Sequence, residues 1–156
     1  MVLIIGGGII GLSIAWKLIQ IGEKVLILDK KKLGKEASLA AAGMLAGRME
    51  SEPGEEKLFP LLVKGQLAWP KFAQELEMVS GTNIEYKKDG SIMLACDFDE
   101  DNKLKSNLNF FKKNKINLKW LNGDEIRIKE PYVSANVVSG IFSNGMYHAG
   151  AALANG

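Results

Sequence analysis

Three consecutive glycines, Gly6–Gly8, interrupt an apolar run at the start of the chain and limit what it can fold into. The residues before them, Val2–Ile5, are strand formers of the kind found in parallel strands that are covered on both faces. The residues after them, Ile9–Ile21, have apolar side chains at helical spacing, and Gly22 is placed to end that helix. A second apolar strand, Lys24–Asp29, follows. The order predicts a right-handed βαβ unit with parallel strands and hence an α/β fold.

The glycines of this turn have the spacing G-x-G-x-x-G at Gly6, Gly8 and Gly11. In this pattern the first glycine allows the turn, the second lets a diphosphate approach the backbone, and the third lets helix and strand pack closely. Asp29 ends the second strand, where a carboxylate can accept hydrogen bonds from ribose hydroxyls. The alternatives are a tightly packed corner and an aspartate paired with a nearby lysine. The pattern favours a dinucleotide, and these residues alone leave NAD and FAD both open.

A second stretch of small residues, Glu36–Gly47, offers little side chain to obstruct a ligand. A flat ring or a phosphate can lie against such a backbone, but a small-residue helix packed on the sheet would look the same. The residues alone leave both interpretations open.

The remaining pattern predicts a helix, a hairpin, a polar helix and short strands. The helix over 58–80 begins near Pro60 and is kinked or divided at Pro70. The other predicted elements are a hairpin around Asp89-Gly90, a helix over 99–115, strands over 117–121 and 136–142, a short helix that Asp124 caps and Pro131 ends, and a helix that starts near residue 149. We expect a Rossmann-like portion over residues 1–80 and part of a mixed α+β substrate region over 81–156. Two parallel strands need further partners to make a stable sheet.

Charge and cysteine content exclude several classes of protein. The net charge is +2, no basic block is interleaved with aromatic residues, and the apolar run at the start is too short to span a membrane. We therefore expect neither a nucleic-acid partner nor a membrane span. Cys96, the single cysteine, suits a reducing compartment such as the cytoplasm, and its strand-like context predicts a core position. The acids over 50–56 are interpreted as a solvated turn rather than a metal site, and Arg48 and Arg127 as surface or interface charges.

The order of three segments resembles the amino-terminal part of the D-amino-acid-oxidase-like flavoproteins, in particular the branch that oxidises glycine for thiamine synthesis. The segments are IIGGGIIGLSIAWKL, then VLILDK, then ASLAAAGML. Weaker similarity continues through LEMVSGTNIEY, KDGSIMLA and WLNGDEIRIKEPYVS.

The resemblance implies bound FAD and assigns it a set of residues. Ile9 and Ile10 would lie at the diphosphate, Asp29 and Lys30 at the adenosine, Ala37 and Ser38 at the phosphate and ribityl chain, and Ala42, Gly43 and Met44 at the flavin. From its position alone, Ser38 is equally suited to cap the helix that follows it. The implied reaction oxidises a small amino acid or amine, with molecular oxygen or another acceptor taking the electrons, and self-association into a homo-oligomer is compatible with it.

The resemblance also has limits. The family's substrate-binding arginine and active-site tyrosine have no counterpart here, so no catalytic residue is assigned. Ala149-Gly150 stands where the family has an acid and a proline, and His148, the single histidine, is interpreted as structural. The alternatives are a related flavin dehydrogenase acting on sarcosine, a D-amino acid or glycerol phosphate, and a nucleotide-binding unit without catalysis.

Overall fold

The fold has a two-stranded parallel sheet, a three-stranded antiparallel sheet and a short third strand pair. The structure is a computed structural model that describes residues 1–144 and the backbone of residues 147 and 148. The elements, in chain order, are β1 (Val2–Ile5), α1 (Ile9–Gln20), β2 (Val25–Leu28), α2 (Ala37–Ala40), β3 (Met44–Leu45), α3 (Phe59–Ser80), β4 (Ser91–Ala95), α4 (Phe98–Lys113), β5 (Lys119–Asn122), α5 (Gly123–Lys129), β6 (Ser139–Ser143) and β7 (Tyr147–His148).

The predicted βαβ unit is confirmed. β1 and β2 pair in parallel, with Val2 opposite Val25, and α1 buries Ala15. The helix ends where the sequence indicates, because Gly22 adopts a positive φ of 85° directly after it.

The expectation that both faces of these strands are covered is wrong for the described residues. Both strands alternate half-buried and exposed residues. The exposed side chains all lie on one face and are Leu3, Ile5, Leu26 and Leu28. Within residues 1–144, no third strand joins this sheet, because the later strands pair elsewhere.

The second sheet has the order β4-β6-β5, and both of its pairings are antiparallel. Helix α4 packs on one face, where Phe111 is fully buried, and α5 packs on the other through Ile126. The predicted hairpin around Asp89-Gly90 is wrong. β4 pairs with β6 rather than with residues 84–86, where Glu85 has a positive φ of 53° that interrupts an extended strand.

Helix α3 runs without a break from Phe59 to Ser80, so a division at Pro70 is wrong and a kink there stays a prediction. Proline lacks the N–H that would bond to the preceding turn, but the helix is held on both sides of it. Gln66 and Ala73 are buried before and after it, and Phe72 makes edge-to-face contacts with Trp16 and Trp69.

Two smaller expectations also fail. The cap of α5 is Asn122, not Asp124: the Glu125 N–H donates to Asn122 Oδ1 (2.9 Å), and the Asn122 N–H donates to the Glu125 carboxylate (2.9 Å). Cys96 is exposed because β4 ends one residue earlier, and its N–H donates to Glu100 Oε2 at the turn into α4.

The segment after β3 connects the parallel βαβ unit to the antiparallel sheet and its helices. Ala46 and Met49 are buried in one cluster with Ala95, Leu104 and Ile141. The domain division at residue 80 stays a prediction. The helix expected from residue 149 lies outside the described residues, as does the side chain of His148.

Candidate functional site

The glycine turn brings the backbone of β1 into contact with the start of α1. Gly6 has a φ of 105°, in the region that favours glycine, and a Cβ there would meet nothing within 4 Å. Gly11 is required for a different reason, since a Cβ on it would lie 2.0 Å from the carbonyl oxygen of Gly6. The turn therefore depends on bare backbone at Gly6 for its conformation and at Gly11 for close packing.

Asp29 is held by the same turn. One carboxylate oxygen accepts from the Gly7 N–H (2.7 Å) and the other from the Lys31 N–H (2.8 Å). These bonds, the one from Gly7 first, and the nearby charge of Lys30 lower the pKa of the Asp29 carboxyl below its ordinary value. The carboxylate is solvent-exposed and oriented by backbone groups rather than paired with a lysine, so it keeps lone pairs for a ligand.

Gly7 is a site residue that the spacing argument missed. It is buried, and a Cβ there would lie 2.1 Å from the Leu33 side chain. Its carbonyl accepts from the Gly34 N–H (2.8 Å), so the loop after β2 folds back on the turn. Three glycines in a row are the only signal that could have indicated this role, because the spacing rule specifies only the first and the third of them.

The side chain of Ser38, in α2, contacts the beginning of α1 at Ile9, which is 29 residues away in sequence. Its Oγ accepts from the Ile9 N–H (2.8 Å) and lies 3.2 Å from where a Gly8 Cβ would be. Ser38 does not cap α2, which has no side-chain cap, so that alternative is wrong. Ala37, its neighbour, is exposed, as are Ile9 and Ile10 at the first turn of α1.

The remaining predicted residues follow α2. Ala42 and Met44 are exposed and Gly43 is half-buried, with a φ of 74° at Gly43. Met44 belongs to β3, whose backbone partner is β7. The segment therefore presents small side chains and one flexible thioether to solvent.

These features match the shape of a nucleotide diphosphate. The N–H groups in the first turn of α1 have no acceptor within the helix, and the positive end of the helix dipole lies there. The glycines before the helix carry no side chain that would keep a ligand away from the backbone. The oriented carboxylate of Asp29 lies at the end of the adjacent strand. The residues present therefore fit the adenosine diphosphate part of FAD.

The two arginines lie apart from this turn. Arg48 is half-buried, and its Nε donates to the buried Gln66 side chain (2.5 Å). Arg127 bonds to the carbonyl oxygen of Val137 (3.1 Å) and to Asp124 (2.8 Å), which ties α5 to the loop before β6. Arg127 is therefore a structural residue rather than a free surface charge.

Residues 1–144 lack two kinds of feature. No helix in that part of the chain has the length and hydropathy that a bilayer crossing needs. No group of histidine, cysteine, aspartate and glutamate in residues 1–144 is arranged to hold a metal ion.

The chain also matches a family of known proteins. Residues 1–156 match the family described as DAO, FAD dependent oxidoreductase. The chain is 32% identical to glycine oxidase from Geobacillus kaustophilus (strain HTA426) over 139 residues, which is 89% of this chain and 37% of that protein.

Two solved structures share the fold. Glycine oxidase from Geobacillus kaustophilus superposes with a TM-score of 0.91 at 30% identity, over 98% of this chain and 41% of that one. L-alpha-glycerophosphate oxidase from Mycoplasma pneumoniae, solved with FAD bound, gives a TM-score of 0.76 at 25% identity, over 97% of this chain and 39% of that one. The chain spans about two-fifths of the length of these relatives. The match over the whole chain shows that this protein belongs to the DAO family of FAD-dependent oxidoreductases.

Proposed function

We propose that the protein binds FAD and serves the oxidation of a small amine next to a carboxylate, with glycine as the first substrate to test. The observation that carries the proposal is the glycine turn with Asp29 oriented on it, because this arrangement fits an adenosine diphosphate. The similarity to glycine oxidase supports the choice of substrate.

In this proposal each part of the turn holds a different part of FAD. Gly6, Gly8 and Gly11 receive the diphosphate together with the N–H group of Ile10, while the N–H group of Ile9 donates to the Ser38 hydroxyl. Asp29 accepts from the ribose hydroxyls, and the backbone of Lys30 flanks the adenine. Ala37 and Ser38 line the phosphate and ribityl chain, and the hydroxyl of Ser38 donates to a phosphate oxygen while Ile9 fixes its position. Ala42, Gly43 and Met44 border the flavin.

FAD, if bound, would supply an acceptor for the hydride of the carbon that carries the amine. The imine that remains would take up water and give a 2-oxo acid and ammonia, and molecular oxygen would take up the two electrons and two protons removed from the amine to give hydrogen peroxide. Residues 1–80 hold the cofactor and residues 81–156 contribute to the substrate side. A cytoplasmic location also belongs to the proposal and rests on the use of a single, unpaired cysteine.

The first test measures FAD binding to the protein by the change in flavin fluorescence, with ADP as competitor. We expect saturable binding that ADP weakens, lost in a Gly11→Ala variant and kept in the matched control Gly65→Ala, since a Cβ at Gly65 meets nothing within 4 Å. A protein that remains free of flavin after reconstitution would contradict the proposal.

The second test measures peroxide formation and oxygen consumption with a panel of small amines. Glycine oxidation with stoichiometric peroxide is the expected result. Glycerol 3-phosphate belongs in the panel as the second candidate substrate, because the fold is shared with the Mycoplasma pneumoniae glycerophosphate oxidase. Activity only with an artificial electron acceptor would favour a dehydrogenase, and FAD binding without turnover would favour a nucleotide-binding unit.

A further inference from the structure

The segment proposed to border the flavin does little to fix its own position beyond the short pairing of β3 with β7. Ala42 and Met44 are exposed, and Gly43, with a φ of 74°, has the conformational freedom of glycine. The short helix before it, α2, has no side-chain cap. The residues on either side must therefore set the position of residues 42–44, and on the amino-terminal side Ser38 is bonded to the start of α1.

On the carboxyl-terminal side the chain forms a turn over residues 46–51. The Met49 N–H donates to the carbonyl oxygen of Ala46 (2.8 Å), and the Ser51 hydroxyl donates to that of Gly47 (2.8 Å). One face of the turn, Ala46 and Met49, is buried in the cluster that contains residues of β4, α4 and β6. Apolar packing holds the turn on that side, and a second, directional contact is needed to fix its orientation.

Arg48 makes that second contact, with helix α3. Its Nε donates to the side-chain oxygen of Gln66 (2.5 Å), and Gln66 is only 3% exposed. The backbone of Gly47 lies against the same helix, since a Cβ there would be 3.6 Å from the Leu62 side chain. A charged donor and a buried acceptor make a strong hydrogen bond, and loss of the donor would leave the buried oxygen without this bond. Arg48 therefore ties the turn to α3 while the other face of the turn packs on the antiparallel part.

We propose that Arg48 is a positioning residue for flavin binding, because its bond to Gln66 fixes the place of residues 42–44. This role rests on the proposed function, in which that segment borders the flavin. In the same function the adenosine diphosphate part of FAD belongs to the glycine turn and Asp29, which Arg48 does not hold. Loss of Arg48 should thus weaken the binding of FAD and leave the binding of ADP unchanged, a selectivity that general destabilisation would not produce.

The experiment compares Arg48→Met, which keeps the apolar stem and removes the donor, with Arg127→Met as the matched control. Arg127 is the other arginine of the chain, is also half-buried, and holds α5 rather than this turn. Calorimetric titrations of the full chain measure the dissociation constants of FAD and of ADP. For Arg48→Met we expect an increase of about tenfold for FAD and of at most about twofold for ADP, and at most about twofold for both in the control.

Three further variants test the route through Gln66. Arg48→Lys keeps a charged donor on a side chain of similar length, so its FAD dissociation constant should stay within about threefold of the wild-type value. Gln66→Met removes the acceptor, and the double variant Arg48→Met/Gln66→Met should bind FAD no more weakly than either single variant. Additive effects of the two changes, or an ADP dissociation constant that rises as much as that of FAD, would overturn the proposal.

Hydrogen exchange of the amides of residues 42–47, followed by mass spectrometry without FAD, gives a readout that is independent of the cofactor. We expect exchange to be about tenfold faster in Arg48→Met and unchanged in Arg127→Met. Equal exchange in the wild type and in Arg48→Met would overturn the proposal. A wild type that binds neither FAD nor ADP would contradict the proposed function instead, and the exchange measurement would still show whether Arg48 holds the segment.

Discussion

At the scale of single residues, Gly11 carries the strictest steric requirement of the turn. A Gly11→Ala change would bring a Cβ to 2.0 Å from the Gly6 carbonyl oxygen, which is backbone and cannot swing away. We expect the free energy of unfolding to fall by about 1–3 kcal/mol. Urea unfolding followed by circular dichroism measures it.

The control for Gly11 is a glycine with room around it. Gly65→Ala, in the middle of α3, is expected to stabilise the protein by about 0.5–1 kcal/mol because alanine loses less backbone entropy in a helix. Equal destabilisation by both changes would contradict the steric explanation.

Asp29 makes the stability of the turn depend on pH. Its folded-state pKa is lowered, so it contributes stability above its unfolded pKa of about 3.9, and that contribution is lost as the pH falls through the folded value. We expect the difference in urea midpoint between the wild type and Asp29→Asn to be constant near neutral pH and to shrink below about pH 4. A difference that grows towards low pH would contradict the assigned hydrogen bonds.

At the scale of elements, the cap of α5 gives a direct comparison between neighbours. Asn122→Ala removes the acceptor for the Glu125 N–H and is expected to cost about 1 kcal/mol. Asp124→Ala removes only a surface ion pair to Arg127 and should cost about 0.5 kcal/mol or less. Chemical unfolding of both variants measures the difference, and the reverse order would mean that Asp124 is the cap.

Elements with a local cause were predictable from the sequence. The βαβ unit and α4 were predicted because strand runs, helical spacing and a glycine stop act over a few neighbouring residues. The hairpin was not, because the partner of Ser91 is Ser143, and nothing near Asp89-Gly90 indicates a strand so far along the chain.

In the candidate site, too, local features were predictable from the sequence and contacts between distant residues were not. The spacing of Gly6, Gly8 and Gly11 and the position of Asp29 are local, so they were predicted, and their role towards a ligand stays a prediction. The contact of Ser38 with Ile9 spans 29 residues, and the packing of Leu33 on Gly7 depends on how a loop folds back. No periodicity indicates either contact.

At the scale of the whole molecule, one aromatic cluster joins α3 to the antiparallel part. Phe111 is fully buried and packs with Phe59 and Phe110. We expect Phe111→Ala to lower the free energy of unfolding by about 3–5 kcal/mol. The unfolding transitions of this variant measured by tryptophan fluorescence and by circular dichroism should coincide, because the cluster joins α3 to the helix that packs on the antiparallel sheet.

The control for Phe111 is Phe98→Ala at the start of α4, where the ring is 75% exposed. It should change stability by about 0.5 kcal/mol or less. Two separate transitions in the Phe111 variant, one for each sheet, would contradict a shared core.

Ala46 and Met49 follow directly on the segment proposed to border the flavin, and both are locked into the packing of β4, α4 and β6. A ring resting on residues 42–44 would thus lie next to a segment that is packed into the antiparallel sheet. Moving residues 42–44 away from the antiparallel sheet would expose Ala46 and Met49 to water, so a hinge at this point would lose the burial of the whole cluster.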